Sequence, residues 1–176
     1  MNKTLLTLIK YSLLPALLLF IGKLAGILFV SGLFNFNVQF SLVDYNIFFF
    51  KTLVDSKNYI ILSSYSDMFM FLVMMLGMTI LLFQALVLHD SHISSNTVFR
   101  LAKYNLLDLI KTSFDLYHSG IVWALFMWLS CLLIGLNTLK GATYIWVLGI
   151  ALVFSISYSI IFIKDLFSEI KLIKNE

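Results

Sequence analysis

Residues 18–30 read LLFIGKLAGILFV, an apolar stretch with one lysine, Lys23, in its interior. With its neighbours this stretch belongs to a longer apolar run from Leu13 to Leu33. A helix needs about 20 mostly apolar residues to cross a hydrocarbon core about 30 Å thick. The run therefore predicts a transmembrane helix that carries a charge inside the membrane.

The composition of the whole chain agrees with a membrane protein. Hydrophobic residues make up 61% of the sequence and charged residues 12%, whereas about 25% charged residues is usual for a soluble domain. Unpaired backbone groups are too costly in lipid, so uniform apolar runs are expected to be helical. We predict an all-α integral membrane protein, a single membrane domain with four transmembrane helices. The predicted spans are 13–33, 68–88, 120–139 and 142–163.

The distribution of lysine and arginine predicts the orientation. Four spans put the N-terminus, the segment between the second and third spans, and the C-terminal tail 164–176 on one side. Outside the spans, only Lys51, Lys57 and Lys140 fall on the other side. Because basic residues concentrate in cytoplasmic segments, both termini are expected in the cytoplasm. The expected location is a bacterial cell (inner) membrane, with a multi-pass topology.

The first connecting segment, 34–66, is predicted to lie outside the cell. Within it, FNFNVQFSL alternates apolar and polar residues, which is typical of a strand with one buried face. The runs IFFFKTLV and YIILSSYS are also rich in strand-forming residues. A small β cap is one interpretation, and an irregular aromatic loop at the headgroups is the other.

The second connecting segment predicts an amphipathic helix over 96–116. Apolar residues such as Phe99 and Ala102 share one side, and basic residues lie elsewhere, as in helices that rest on a membrane surface. Ser94, Ser95 or Asn96 is expected to cap this helix. The third connection, Lys140–Gly141, is short enough to make the last two spans an antiparallel hairpin.

Lys23 is the candidate functional residue inside the membrane. Gly22 and Gly26 beside it have the GxxxG spacing that lets helices approach closely. The predicted spans hold no carboxylate near their centres, so the expected partners are hydroxyls, carbonyls, water, Gln84 or a second protein. Alternatively, the first helix is shifted or tilted, so that Lys23 lies near the outer boundary.

Two further patterns raise the possibility of a metal. His89, Asp90, His92 and His118 are all expected at the cytoplasmic boundary, and such side chains can bind a divalent metal. They are also ordinary residues for helix ends at headgroups. Met70, Met74 and Met78 share one helix face, where thioethers suit Cu(I) but also fill space in a core. Neither spacing is specific, so no cofactor is predicted.

The sequence lacks the motifs of common enzymes, including HExxH and a phosphate-binding glycine loop. We therefore expect a non-enzymatic membrane subunit or scaffold that contacts lipids and assembles with other membrane proteins or with itself. A small transporter or channel that uses Lys23 is the alternative. A metal-dependent membrane enzyme at the histidines is a second alternative. The net charge of +3 gives no basis for binding nucleic acid.

Overall fold

The fold is known from a computed structural model, which describes residues 3–36, 56–88, 93–107, 110 and 113–175. Five helices and no strands occur in these residues. The helices are α1 (Lys3–Phe34), α2 (Ser56–Val87), α3 (Ser95–Lys103), α4 (Ser113–Leu139) and α5 (Ile145–Asn175). Of these, α1, α2, α4 and α5 are long and apolar enough to cross a membrane. The prediction of four apolar helices is confirmed.

Each long helix extends beyond the span predicted for it. One such extension is at the start of α2, which begins at Ser56 and not at Met68. Apolar runs mark only the part of a helix that lies in hydrocarbon, and they do not mark its ends in the headgroups. Similarly, α5 continues through most of the predicted tail.

The earlier start of α2 corrects the prediction for the first connecting segment. The run YIILSSYS, which we interpreted as a strand, lies within α2. Short apolar runs are ambiguous between strand and helix, and here the run continues the apolar helix that follows it. The runs FNFNVQFSL and IFFFKTLV fall in or extend into 37–55, which lies outside the described residues.

The amphipathic helix is shorter than predicted. It ends at Lys103, and Asn105 has a φ of 55°, a left-handed conformation that does not continue a helix. The predicted residues from Ser113 onward belong to α4. The capping prediction is confirmed at Ser94, whose side chain accepts a hydrogen bond from the backbone N–H of Thr97.

The centre of the bundle is α2, which contacts α1, α4 and α5. Met70, Met74 and Met78 are buried along it and join the main hydrophobic core, where flexible thioethers fill irregular space. The hairpin between α4 and α5 turns at 140–144, where Gly141 has a φ of 69°. We call this end of the bundle the turn end and the opposite end, near Leu88 and α3, the α3 end.

Candidate functional site

The most polar region of the core lies toward the turn end and centres on an ion pair. The ammonium nitrogen of Lys23 on α1 contacts Oδ1 of Asp67 on α2. Lys23 is 6% exposed and Asp67 0%, so both charges are removed from lipid and water. The expectation that this chain offers Lys23 only neutral partners is therefore wrong. Asp67 was excluded because the predicted span began one residue after it.

Two glycines let α1 approach α2 closely enough for this pair. A Cβ on Gly26 would lie 2.9 Å from Cα of Ser66, and one on Gly22 would lie 3.3 Å from Cα of Met70. Small residues at helix contacts permit such backbone proximity. The GxxxG pair thus lies in a contact within this chain, and Lys23 leaves the same helix between the two glycines.

The second carboxylate oxygen of Asp67 binds the other half of the bundle. Oδ2 accepts hydrogen bonds from Nδ2 of Asn137 at 2.9 Å and from Oγ1 of Thr143 at 2.6 Å. Asn137 lies near the end of α4, and Thr143 lies in the turn that follows it. One carboxylate therefore connects α1, α4 and the turn to α2.

Hydroxyl groups of α2 complete the arrangement. Lys23 also donates to Oγ of Ser66 at 2.9 Å, and Ser66 in turn donates to the carbonyl of Ser63. Oγ of Ser63 lies 3.3 Å from Oγ1 of Thr143. Oγ of Ser64 accepts a 2.9 Å bond from the backbone N–H of Tyr144. We call the set Lys23, Ser63, Ser64, Ser66, Asp67, Asn137 and Thr143 the polar network.

The chemistry of the polar network follows from its charge balance. It holds one cation and one anion, so it carries no net charge when both are ionised. A single charge at the bilayer centre costs about 2.5–3.5 kcal/mol on insertion scales, and a paired, hydrogen-bonded carboxylate offsets that cost. The contact also allows a proton to move from ammonium to carboxylate. The network can therefore hold the helices together or store a proton.

A second set of polar contacts lies toward the α3 end. The hydroxyl of Tyr11 donates to Asp115 at 3.0 Å, and the hydroxyl of Tyr117 donates to Asp165 at 2.9 Å. These bonds connect α1 to α4 and α4 to α5 respectively. Acidic side chains at this end therefore accept bonds from tyrosines on neighbouring helices.

The predicted metal-ligating residues are only partly described. His118 lies on α4, and its ring packs edge-on against Tyr11 with ring centroids 5.7 Å apart. His89, Asp90 and His92 lie outside the described residues. Among the residues that are described, no group of three or more His, Cys, Asp or Glu side chains could hold a metal ion.

Sequence reasoning identified Lys23 but missed the rest of the polar network. One signal for Asp67 was present: Ser63, Ser64, Ser66 and Asp67 place four polar residues within five positions at one end of an otherwise apolar run. A helix extended through them places a carboxylate in the membrane opposite Lys23. Asn137 and Thr143 carried no such signal, because their role depends on how α4 packs against α2.

Comparison with known proteins found no match. No family model matches the chain, and neither does any curated protein or solved structure.

Proposed function

We propose that the protein is a non-enzymatic integral membrane subunit that assembles through α5 with a second copy of itself. The observation that carries this proposal is a heptad repeat of exposed apolar residues along α5. Its members are Gly149, Val153, Ile156, Ile160, Ile163, Phe167 and Ile170, and all are exposed. Their alternating spacing of four and three is that of a coiled-coil seam. We call this set the α5 seam.

The opposite side of α5 makes the contacts with its own bundle. Ser155, Phe162 and Glu169, also seven residues apart, are buried. Oγ of Ser155 lies 3.0 Å from Sγ of Cys131 on α4. The helix thus has one heptad face used within the chain and another heptad face left open.

The part of the α5 seam beyond the hydrocarbon gives the strongest support for a protein partner. Exposed apolar residues inside a membrane are solvated by lipid and need no protein partner. About 20 residues of helix span the hydrocarbon, so the residues after Lys164 reach the headgroups or beyond. There Phe167 is 60% exposed and Ile170 50% exposed, beside Lys164, Asp165 and Lys171. A helix packed along the seam would cover them.

A second copy suits the seam because the seam is self-complementary. Side chains at a and d positions of one helix fit between those of an identical parallel helix. From Gly149 to Ile170 the seam contains no charge, and Lys164 and Lys171 lie off it. The next position of the repeat is Lys174, so two parallel copies would bring like charges together only at that end. Gly149 lets the helices approach at one end.

Co-purification of two differently tagged copies tests this proposal. Ile163→Trp places a bulky ring in the seam, and Ile161→Trp is its matched control. The two isoleucines are similarly exposed, at 48% and 43%, but Ile161 lies off the seam. We expect Ile163→Trp to reduce recovery of the second tag at least fivefold, with Ile161→Trp unchanged. No recovery with the parent protein, or equal recovery with both variants, would refute the self-assembly proposal.

One observation favours a second candidate, a small transporter that moves protons. The Lys23–Asp67 pair is a buried acid next to a buried base, and such groups are typical of intramembrane proton pathways. Proton flux into vesicles containing the purified protein tests this candidate. Asp67→Asn should abolish the flux, and Asp165→Asn serves as the control. Flux equal to that of empty vesicles with the parent protein would reject it.

A further inference from the structure

A groove on the side of the bundle lies between α1, α2 and α4 in the half nearer the α3 end. Its volume is about 450 Å³, within the range of about 300–1,000 Å³ for ligand pockets. Leu14, Leu76 and Ile80 line the groove and are themselves well exposed on the outside of the spans. The groove therefore opens sideways to the lipid that surrounds a membrane protein.

A glycine shapes the inner wall of this groove. The indole of Trp123 is buried against Gly77, where an added Cβ would lie 1.8 Å from Cζ3 of the ring. The absent side chain lets the indole pack directly against α2. Both residues line the groove, together with the half-buried Val73. The wall is apolar and offers a surface for a hydrocarbon chain.

The polar residues of the groove are confined to one end. Tyr11, Gln84 and Ser119 are the polar side chains among its lining residues. Gln84 lies about one helical turn before the end of α2 at Val87, and we therefore expect it near the level of the lipid glycerol and headgroup. Its Oε1 has almost no accessible surface and accepts no hydrogen bond from the described part of the chain. A ligand in the groove therefore reaches this oxygen when the flexible side chain turns toward it. A ligand that fits is therefore apolar along most of its length with a hydrogen-bond donor at one end.

We propose that this groove binds one membrane glycerophospholipid, with an acyl chain along Trp123 and a donor-bearing headgroup at Gln84. The side opening supplies the route from the bilayer. A buried acceptor without a partner is costly, and an ammonium or hydroxyl of the headgroup removes that cost. Phosphatidylethanolamine carries such donors, whereas phosphatidylcholine has the same net charge and none. The groove should therefore prefer the former.

Fluorescence quenching by lipids with brominated acyl chains tests the proposal. Trp128→Phe and Trp146→Phe leave Trp123 as the sole tryptophan. In bilayers we expect brominated phosphatidylethanolamine to quench Trp123, with half-quenching at a mole fraction at least twofold lower than for brominated phosphatidylcholine. Gln84→Leu should remove this preference and retain quenching by both lipids.

Filling the groove provides the control for occupancy. Val73→Phe places a ring in the groove and should remove most of the quenching. Val87→Phe, the same substitution on the same helix outside the groove, should leave the quenching unchanged. Equal quenching in the two variants would show that the bromines act from the bulk bilayer and would overturn the proposal. Equal quenching by both headgroups in the parent would likewise overturn it.

Discussion

Lys23 and Asp67 lie 44 positions apart in the sequence, yet their charged groups are in contact inside the bundle. Both residues are buried, and the carboxylate also accepts bonds from α4 and from the turn after it. The charge that first suggested an external partner for α1 is therefore neutralised within the chain. The proposed assembly therefore uses another surface, the α5 seam, whose exposed apolar residues continue past Lys164 to Ile170.

Replacing one partner of the Lys23–Asp67 ion pair should lower the folding stability more than replacing both partners. Lys23→Met or Asp67→Leu alone leaves an unpaired buried charge, which costs about 3–5 kcal/mol of folding stability. The double variant Lys23→Met/Asp67→Leu leaves none and should recover at least half of the summed loss. The unfolding midpoints of the purified parent, the two single variants and the double variant in mild detergent measure these changes in stability. Additive effects of the two single substitutions would contradict the pairing.

The close approach of α1 and α2 should depend on Gly26. A Cβ there meets backbone atoms of Ser66, which cannot rotate away as a side chain does. Overpacking of this kind costs about 1–3 kcal/mol, so Gly26→Ala should lower the unfolding midpoint by several degrees. Gly32→Ala is the control, because a Cβ on Gly32 meets nothing within 4 Å. Equal midpoints for the two variants would argue against this contact.

The turn between α4 and α5 should depend on Thr143 for its attachment to α2. Thr143→Val removes the 2.6 Å bond to Asp67 and the contact with Ser63 while nearly preserving volume. Loss of a hydrogen bond to a charged group costs about 1.5–3 kcal/mol. Thr138→Val is the matched control, because that hydroxyl donates to the carbonyl of Ile134 in its own helix. A cost for Thr138→Val equal to that of Thr143→Val would contradict the proposed role.

The distribution of basic residues makes a separate prediction about orientation. Reporter fusions after Glu176 and within the segment between α2 and α4 should report a cytoplasmic location. Fusions near Asp55 should report the outside, because few basic residues occur on that side. A cytoplasmic signal near Asp55 would overturn the orientation.

The four membrane helices could be predicted because each contains an apolar run of the length that a bilayer requires. The ends of these helices could not be predicted in the same way, and the error at the start of α2 affected the interpretation of Asp67. Placing the start of α2 at Met68 left the carboxylate in a loop and left Lys23 without an acid. The extra turns of α2 contain serines as well as Tyr59, Ile60 and Ile61, so no break in composition marks them as helical.

The rest of the polar network depends on tertiary packing. Asn137 and Thr143 are ordinary residues for a helix end and a turn, and their spacing gives no sign of a shared carboxylate. The end of α3 depended on the local conformation at Asn105, which apolar periodicity does not report. The heptad spacing of the α5 seam is visible in the sequence. That the seam is a separate, exposed face of α5 follows only from the structure, in which Ser155, Phe162 and Glu169 are the buried residues.

Cysteine cross-linking along α5 in native membranes tests the central claim, self-assembly through the α5 seam, most directly. In a Cys131→Ser background, single cysteines replace Ile156, Ile163 and Ile170 on the seam, and Ile161 off it. A parallel pair of α5 helices predicts disulfide-linked dimers at the three seam positions and none at Ile161, which is exposed but is not three or four residues from any member of the seam. Equal cross-linking at all four positions, or none at any seam position, would contradict the account.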